Sequence, residues 1–342
     1  MTRVGVFCAE YHSPFKPYFR RQVRAFERVT PIVFSWEPGP DRVEGVRVVE
    51  INAPWSRKSN SSFVHRVAAR LGRETSSSTS RETDVIERLL RTYDIDVVIA
   101  HSGFVADRVA DACGRVGIPF IAHLHGVDLH GGRRVKGLGK RLANVCNAAA
   151  RTLVVGGYMV DWLVQLGVDR SSIIVSPMGA PVHDRAPAEG AGPDNHFLFV
   201  GRLVEYKSLG TVIDAIALAN RQGGTVRLSI VGDGPMRANW EAHAARVGQE
   251  DTIEFLGVRS TEDVDSLLDT RSGLVIHAID HPGGPEAFGV VVTEAMAAGR
   301  PVIVSRCGGL VDQIRDGHEG FVVEQRDVAG LSAALLTLGG DV

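Results

Sequence analysis

The chain has 342 residues, 44% of them hydrophobic and only 6% aromatic, with a formal net charge of -2. That length suits two domains with aliphatic cores, and the near-neutral charge argues against nucleic acid as the main partner. Cys8, Cys113, Cys146 and Cys307 form no C-x-x-C pair, which reads as reduced thiols and excludes a disulfide frame or a zinc site built on cysteine.

In the first half, apolar runs at Val4–Ala9, Pro31–Ser35, Val46–Ile51, Val97–Ala100, Pro119–Ala122 and Leu153–Val155 predict strands. Amphipathic stretches at Asp84–Tyr93 and Val105–Arg115 predict helices between them. Glu74–Thr83 is polar and of low complexity, which predicts a loop. The segment from Pro177 to Asn195 is rich in Pro, Gly and Ala without a period, and reads as a linker. The alternation then restarts. Strands are expected at Phe197–Val200, Val226–Val231, Thr252–Phe255, Leu274–His277 and Val302–Ser305, and helices at Leu209–Arg221, Pro235–Val247, Glu262–Leu268 and Gly289–Ala298. Strands alternating with helices give parallel sheets, and uninterrupted apolar strands give sheets covered on both faces. The expectation is α/β: two Rossmann-like open parallel-sheet domains facing across a cleft, over residues 1–180 and 196–342, joined by a linker at 181–195. No signal-peptide pattern and no apolar run of membrane-spanning length is visible, so the expected place is the cytoplasm.

Four stretches carry candidate chemistry. In Phe197–Ser208 a strand ends at Gly201, and Arg202 and Lys207 sit in the loop before a helix. Such a turn suits a phosphate or diphosphate, although two solvated cations would look the same. In Ile230–Pro235, Asp233 is a candidate helix cap with Pro235 in the first turn, and a plain tight turn is an equal reading. In Gly284–Pro301, Glu286 and Glu294 flank seven uncharged residues, the first in a loop and the second in a helix beginning near Gly289. Amides at Ala287, Phe288 and Gly289 would point from a positive helix end, and a carboxylate can take two sugar hydroxyls. The fourth is the loop with His123, His125, Asp128 and His130. Its residue types suit a metal, but no second cluster completes a ligand set, so a hydrogen-bonding histidine is preferred and no metal is expected. Asp94 and Asp96 directly precede a buried strand, where capping or a turn explains them better than a metal.

Together these stretches resemble the retaining GT-B-fold glycosyltransferases of glycosyltransferase family 4 (glycosyl transferases group 1). "FVGRLVEYKSLGTVIDAI" is similar to the family's G-R-L…K segment, and "IVGDGPMR" to its G-D-G-P turn. "EAFGVVVTEAMAAGRPVIVSRCGGLVDQI" resembles its Glu, seven residues, Glu signature followed by a Gly-Gly loop, and "HLHGVDLH" its H-G-x-D loop. The resemblance implies a UDP- or GDP-sugar as donor and a glycan, lipid-linked intermediate or small metabolite as acceptor. It implies that Arg202 and Lys207 hold the diphosphate and that Glu286 accepts bonds from the transferred sugar. Gly201 lies at the donor loop, Ala287, Phe288 and Gly289 give backbone contacts, Glu294 holds the ribose, and His125 approaches the donor sugar. No cofactor or metal is implied. The loop after the first strand, "EYHSPFKPYFRRQ", lacks the family's Gly-Gly turn, and Asp312 stands where a Glu often follows the Gly-Gly loop. The family's final crossing helix would be missing or very short here.

Competing readings are a sugar-nucleotide epimerase, which needs no acceptor, and a non-catalytic sugar-nucleotide-binding protein. A nicotinamide-dependent oxidoreductase is disfavoured because no G-x-G-x-x-G follows any strand. Two basic clusters, Arg57, Lys58, Arg66, Arg70 and Arg73, and Arg133, Arg134, Lys136, Lys140 and Arg141, are candidates for peripheral contact with an anionic membrane face, against the reading of a solvated surface.

Overall fold

The computed structural model describes residues 1–12, 17–52, 80–126, 138–182, 195–282 and 284–340. The chain divides into two compact units, Met1–Met178 and Gly179–Val342.

The first unit holds an eight-stranded sheet. Its strands are β1 (Arg3–Cys8), β2 (Thr30–Ser35), β3 (Arg42–Val43), β4 (Val46–Glu50), β5 (Val97–His101), β6 (Phe120–Leu124), β7 (Arg151–Val154) and β8 (Ile173–Val175). Their order is β3-β4-β2-β1-β5-β6-β7-β8. Every pairing is parallel except β3 with β4. The described helices are α1 (Pro17–Arg24), α2 (Ser80–Thr92), α3 (Gly103–Val116), α4 (Leu138–Ala148) and α5 (Tyr158–Gln165). Val6, Phe7 and Cys8 of β1 and Val33 and Phe34 of β2 are buried. Such runs stay apolar because both faces of a central parallel strand are covered.

The second unit holds β9 (His196–Val200), β10 (Arg227–Val231), β11 (Ile253–Gly257), β12 (Gly273–Ile276), β13 (Val302–Ser305) and β14 (Gly320–Val323). The order is β11-β10-β9-β12-β13-β14, all parallel. Its helices are α6 (Leu209–Arg221), α7 (Arg237–Arg246), α8 (Thr261–Thr270), α9 (Val290–Ala297) and α10 (Val328–Gly339). One continuous core joins Phe197 and Phe199 of β9, Ile213 and Ile216 of α6, Val275 of β12, Val292 of α9 and Leu335 of α10.

Several sequence expectations change. The loop expected over Glu74–Thr83 gives way to α2 from Ser80, where buried Glu82 accepts a bond from the Trp36 indole at 3.0 Å. A carboxylate buried by a tertiary partner carries no local signal. The helix expected from Pro235 begins at Arg237, and Asp233 does not cap it. The Asp233 carboxylate instead accepts from the Gly234 amide at 2.7 Å. Asp94 and Asp96 are turn residues, as expected: Asp96 accepts from the Arg3 amide at 2.7 Å and Asp94 pairs with its guanidinium at 2.8 Å. The structure adds α1, α4, α5, β3, β8 and β14, which were not anticipated. Of the expected linker, 183–194 lies outside the described residues.

Candidate functional site

In an open α/β sheet, ligands settle beyond the carboxyl ends of the strands where strand order reverses. In the second unit that reversal lies between β9 and β12. The loop after β9 carries Gly201, Arg202 and Lys207, and the segment after β12 runs to Glu286 and the start of α9. The two are tied together by the Ile279 amide, which donates to the Tyr206 carbonyl at 2.8 Å.

This tie places Lys207 Nζ 2.5 Å from Glu286 Oε2, with the side chains 11% and 13% exposed. Burial alone would lower the Lys207 pKa, but the Glu286 carboxylate beside it outweighs this and holds the ammonium above its usual value. Burial, and then Glu286, push the Tyr206 hydroxyl up. The sequence reading assigned Lys207 and Glu286 to separate parts of a ligand. The structure pairs them with each other. Arg202 is exposed and makes no ion pair among the described residues, which leaves its guanidinium facing solvent.

The loop 286–289 is shaped from behind by the Gly-Gly turn after β13. The Gly309 amide donates to the Glu286 carbonyl at 2.9 Å. Gly308 has φ 53°, and a Cβ there would collide with that same carbonyl oxygen, so only glycine lets the two backbones approach. The Gln313 side chain completes the support. Its amide nitrogen donates to the Phe288 carbonyl, and its oxygen accepts from the Thr293 hydroxyl at 2.8 Å. With both carbonyls turned back, the Ala287, Phe288 and Gly289 amides donate to no backbone carbonyl among the described residues. Gly289 enters α9 in the left-handed region, and half-buried Glu294 lies on that helix. Gln313 was missed in the sequence because an uncharged amide beside an apolar residue gives no local sign of a clamp.

The glycines of Ile230–Pro235 allow a close backbone approach. A Cβ at Gly232 would meet the Gly201 carbonyl, and the Leu203 amide donates to the Asp233 carbonyl at 2.9 Å. This turn packs against the Arg202 loop and holds it in place. Behind the site, burial pushes the Cys307 thiol up to about 11, so it is a neutral thiol. All four cysteines are free and buried.

In the first unit, order reverses between β1 and β5. His101 ends β5 and lies in register with His123 of β6, with His125 just beyond. His101 Nδ1 and His125 Nε2 are 2.9 Å apart. Burial, and then His123, hold the His101 pKa well below its usual value, and burial pushes His123 down to about 4. Both are neutral rings. Ser102 follows with φ 96°, fixed by its amide donating to the His123 carbonyl at 2.8 Å, an unfavourable conformation that its surroundings enforce. The sequence reading found no second cluster to complete the loop of His123, His125, Asp128 and His130. The neighbouring strand supplies His101. Asp128 and His130 lie outside the described residues, as do all members of the two basic clusters except Lys140 and Arg141. Arg141 pairs with Asp107. No helix among the described residues is long and apolar enough to cross a membrane.

Two family models match. "Glycosyl transferases group 1" covers residues 184–339, and "Glycosyl transferase 4-like domain" covers 12–179. The chain is 31% identical over 142 residues to the amylovoran biosynthesis glycosyltransferase AmsK of Erwinia amylovora, a match covering 41% of this chain and 35% of that protein. It is 27% identical over 254 residues to the uncharacterized glycosyltransferase MJ1178 of Methanocaldococcus jannaschii, covering 74% of this chain and 68% of that protein. The chain therefore spans from about a third to two thirds of the length of these relatives. Among solved structures, Anabaena Alr3699/HepE in complex with UDP superimposes with a TM-score of 0.75 at 18% identity, over 100% of this chain and 90% of that one.

Proposed function

The chain belongs to the glycosyltransferase family that these two models describe and has the GT-B fold, and from that premise we propose that it moves a sugar from a UDP- or GDP-sugar to a hydroxyl acceptor. The proposal includes retention at the anomeric carbon, no metal in the transfer step, and work on the cytoplasmic side. The observation that carries it is the convergence of the Lys207–Glu286 pair, solvent-facing Arg202 and the amides of 287–289 at the β9/β12 switch point. The complex of the similarly folded Anabaena protein with UDP supports the donor class.

Breaking the anomeric bond leaves negative charge on the diphosphate and positive charge on the sugar ring. Arg202 and the amides before α9 meet the negative charge. Each such preorganised donor contributes about 3 kcal/mol. Glu286 accepts from hydroxyls of the transferred sugar while Lys207 fixes the position of its carboxylate. Glu294 takes the ribose hydroxyls. For His125, as a contact to the donor sugar, the support is the family resemblance. Docking on an anionic membrane face through the basic clusters would bring a lipid-linked acceptor close.

The test is a thermal-shift panel of UDP-, GDP-, ADP- and dTDP-sugars on the full chain. A donor at a hundred times its Kd stabilises by about 2.7 kcal/mol, a readable shift. Product analysis with and without acceptor follows for the donor that shifts. No shift with any donor, or conversion of the donor to an epimer without acceptor, overturns the reading.

A further inference from the structure

Three histidines meet in the first unit, and the transfer chemistry proposed above uses one of them. His101 and His123 come from two adjacent parallel strands, and His125 follows the second of them. Their ring centroids are 5.2 Å apart for His101 and His123, 5.2 Å for His101 and His125, and 4.3 Å for His123 and His125. One ring nitrogen of each lies within 4.8 Å of the others. We propose that these three imidazoles form a binding site for one divalent first-row transition ion of the Zn²⁺ or Co²⁺ type.

The rings need adjustments of up to about 1.5 Å, because nitrogens as far as 4.8 Å apart must close to tetrahedral spacing. Imidazole nitrogens bind zinc at about 2.0–2.1 Å in tetrahedral sites, so ligand nitrogens stand about 3.3 Å apart. The His101 and His125 nitrogens, now at 2.9 Å, must part by roughly 0.4 Å to reach that spacing. His123 is 1% exposed, and its Nε2 is buried without a hydrogen-bond partner among the described residues. A buried polar atom with no partner is the exception in folded proteins and calls for one. Its other nitrogen, Nδ1, faces the Gln22 side-chain amide of α1 at 3.5 Å. The oxygen and nitrogen of such an amide exchange places by a flip of the side chain. With the oxygen turned inward, Gln22 accepts from Nδ1–H, fixes the tautomer, and leaves the Nε2 lone pair to the ion, as partners of metal-bound histidines commonly do.

The donor set selects the ion. Three imidazoles, with no carboxylate and no thiolate in the cluster among the described residues, suit zinc, cobalt, nickel or Cu²⁺, and disfavour magnesium, calcium and manganese, which prefer oxygen. Phe19 packs on His101 at 4.6 Å and on His125 at 5.1 Å between centroids, so one side of the site is apolar. His125 is half-buried, and a water or small anion would complete the fourth position. The sequence loop offered no second cluster to complete a ligand set. The sheet register supplies His101.

An ion here would occupy His125. Resting on the donor-sugar reading of His125, the inference is that transition ions inhibit transfer and that a chelator restores it. The deciding experiment does not depend on that reading. Full-length protein is treated with chelator, freed of it, and titrated with Co²⁺ while visible ligand-field absorption is recorded. The expected result is an intense tetrahedral-type spectrum that saturates at one ion per chain and is displaced by Zn²⁺. His101→Asn and His123→Asn, each checked for native circular dichroism, lose the spectrum, and His277→Asn in the other unit keeps it. Should either ligand variant fail to fold, His125→Asn on the half-exposed ring takes its place. Gln22→Ala keeps the spectrum with binding weakened about tenfold. Absence of the spectrum in wild type, or its persistence in the ligand variants, overturns the site whether or not the chain transfers sugar.

Discussion

Replacing Glu286 by Gln leaves the buried Lys207 ammonium without its counter-charge. Both side chains are shielded, at 11% and 13% exposure, so water screens the pair little. Removing one partner of such a pair costs about 3–5 kcal/mol, because the remaining charge stays desolvated. In a unit of this size that lowers the melting midpoint by about 10 °C. The pH dependence gives a second signature. In the wild type the Lys207 pKa is raised, so its stabilisation is complete below the unfolded value of about 10.4 and is lost as pH rises through the folded one. In Glu286→Gln both contributions of the carboxylate are lost, and burial, the largest influence on Lys207, then prevails over the smaller raising effects of Tyr206 and Cys307, so the folded pKa falls and the unfolded chain binds more protons. The variant therefore gains on the wild type as pH rises from neutrality toward the unfolded pKa. The assay is thermal and urea unfolding of wild type, Glu286→Gln, Lys207→Met and the double variant from neutral to alkaline pH. A midpoint within about 2 °C of wild type, a coupling below about 0.5 kcal/mol in the cycle, or no alkaline convergence would refute this account of the pair.

Gln313→Ala removes the bonds to Phe288 and Thr293; it should cost about 1–2 kcal/mol of stability and weaken nucleotide-sugar binding in calorimetry, and unchanged binding would show that the clamp does not shape the loop. Arg202→Ala, at an exposed position, should leave the melting midpoint nearly unchanged yet slow transfer about a hundredfold, whereas Glu294→Ala should mainly weaken nucleotide binding; wild-type kinetics in both would remove them from the site. Burial pushes His277 down to about 4, so the unfolded chain binds its proton first, and this group erodes stability as pH falls from about 6.5 toward 4. His277→Leu should flatten that acid limb in unfolding titrations, and an unaltered limb would show that other groups set it.

The parallel strands could be read from the sequence because the central ones are apolar on both faces, as in β9, where Phe197, Leu198 and Phe199 are all buried. Long amphipathic helices such as α3 were legible for the same kind of reason: Val105, Val109 and Ala112 recur on one face. Helix α1, PYFRRQVR, is short, and half of its residues are polar. Helix α5, YMVDWLVQ, is short and largely apolar, and neither helix announced itself. The motif residues around β9 and α9 could be named in advance because loops after parallel strands carry their chemistry in short contiguous runs.

Which of those residues meet was beyond the sequence. Lys207 and Glu286 pair across the switch point, and only the crossover from β9 through β12 brings them together. His101 joins His123 and His125 because β5 and β6 are hydrogen-bonded in one particular register. Gly308 is a glycine because another loop's carbonyl occupies the place of its side chain. Local pattern thus determined the central strands, the two sheets and the candidate groups. The pairing of charges, the third histidine and the close backbone contacts depend on distances between segments far apart in the chain, and packing of the folded sheets sets those distances.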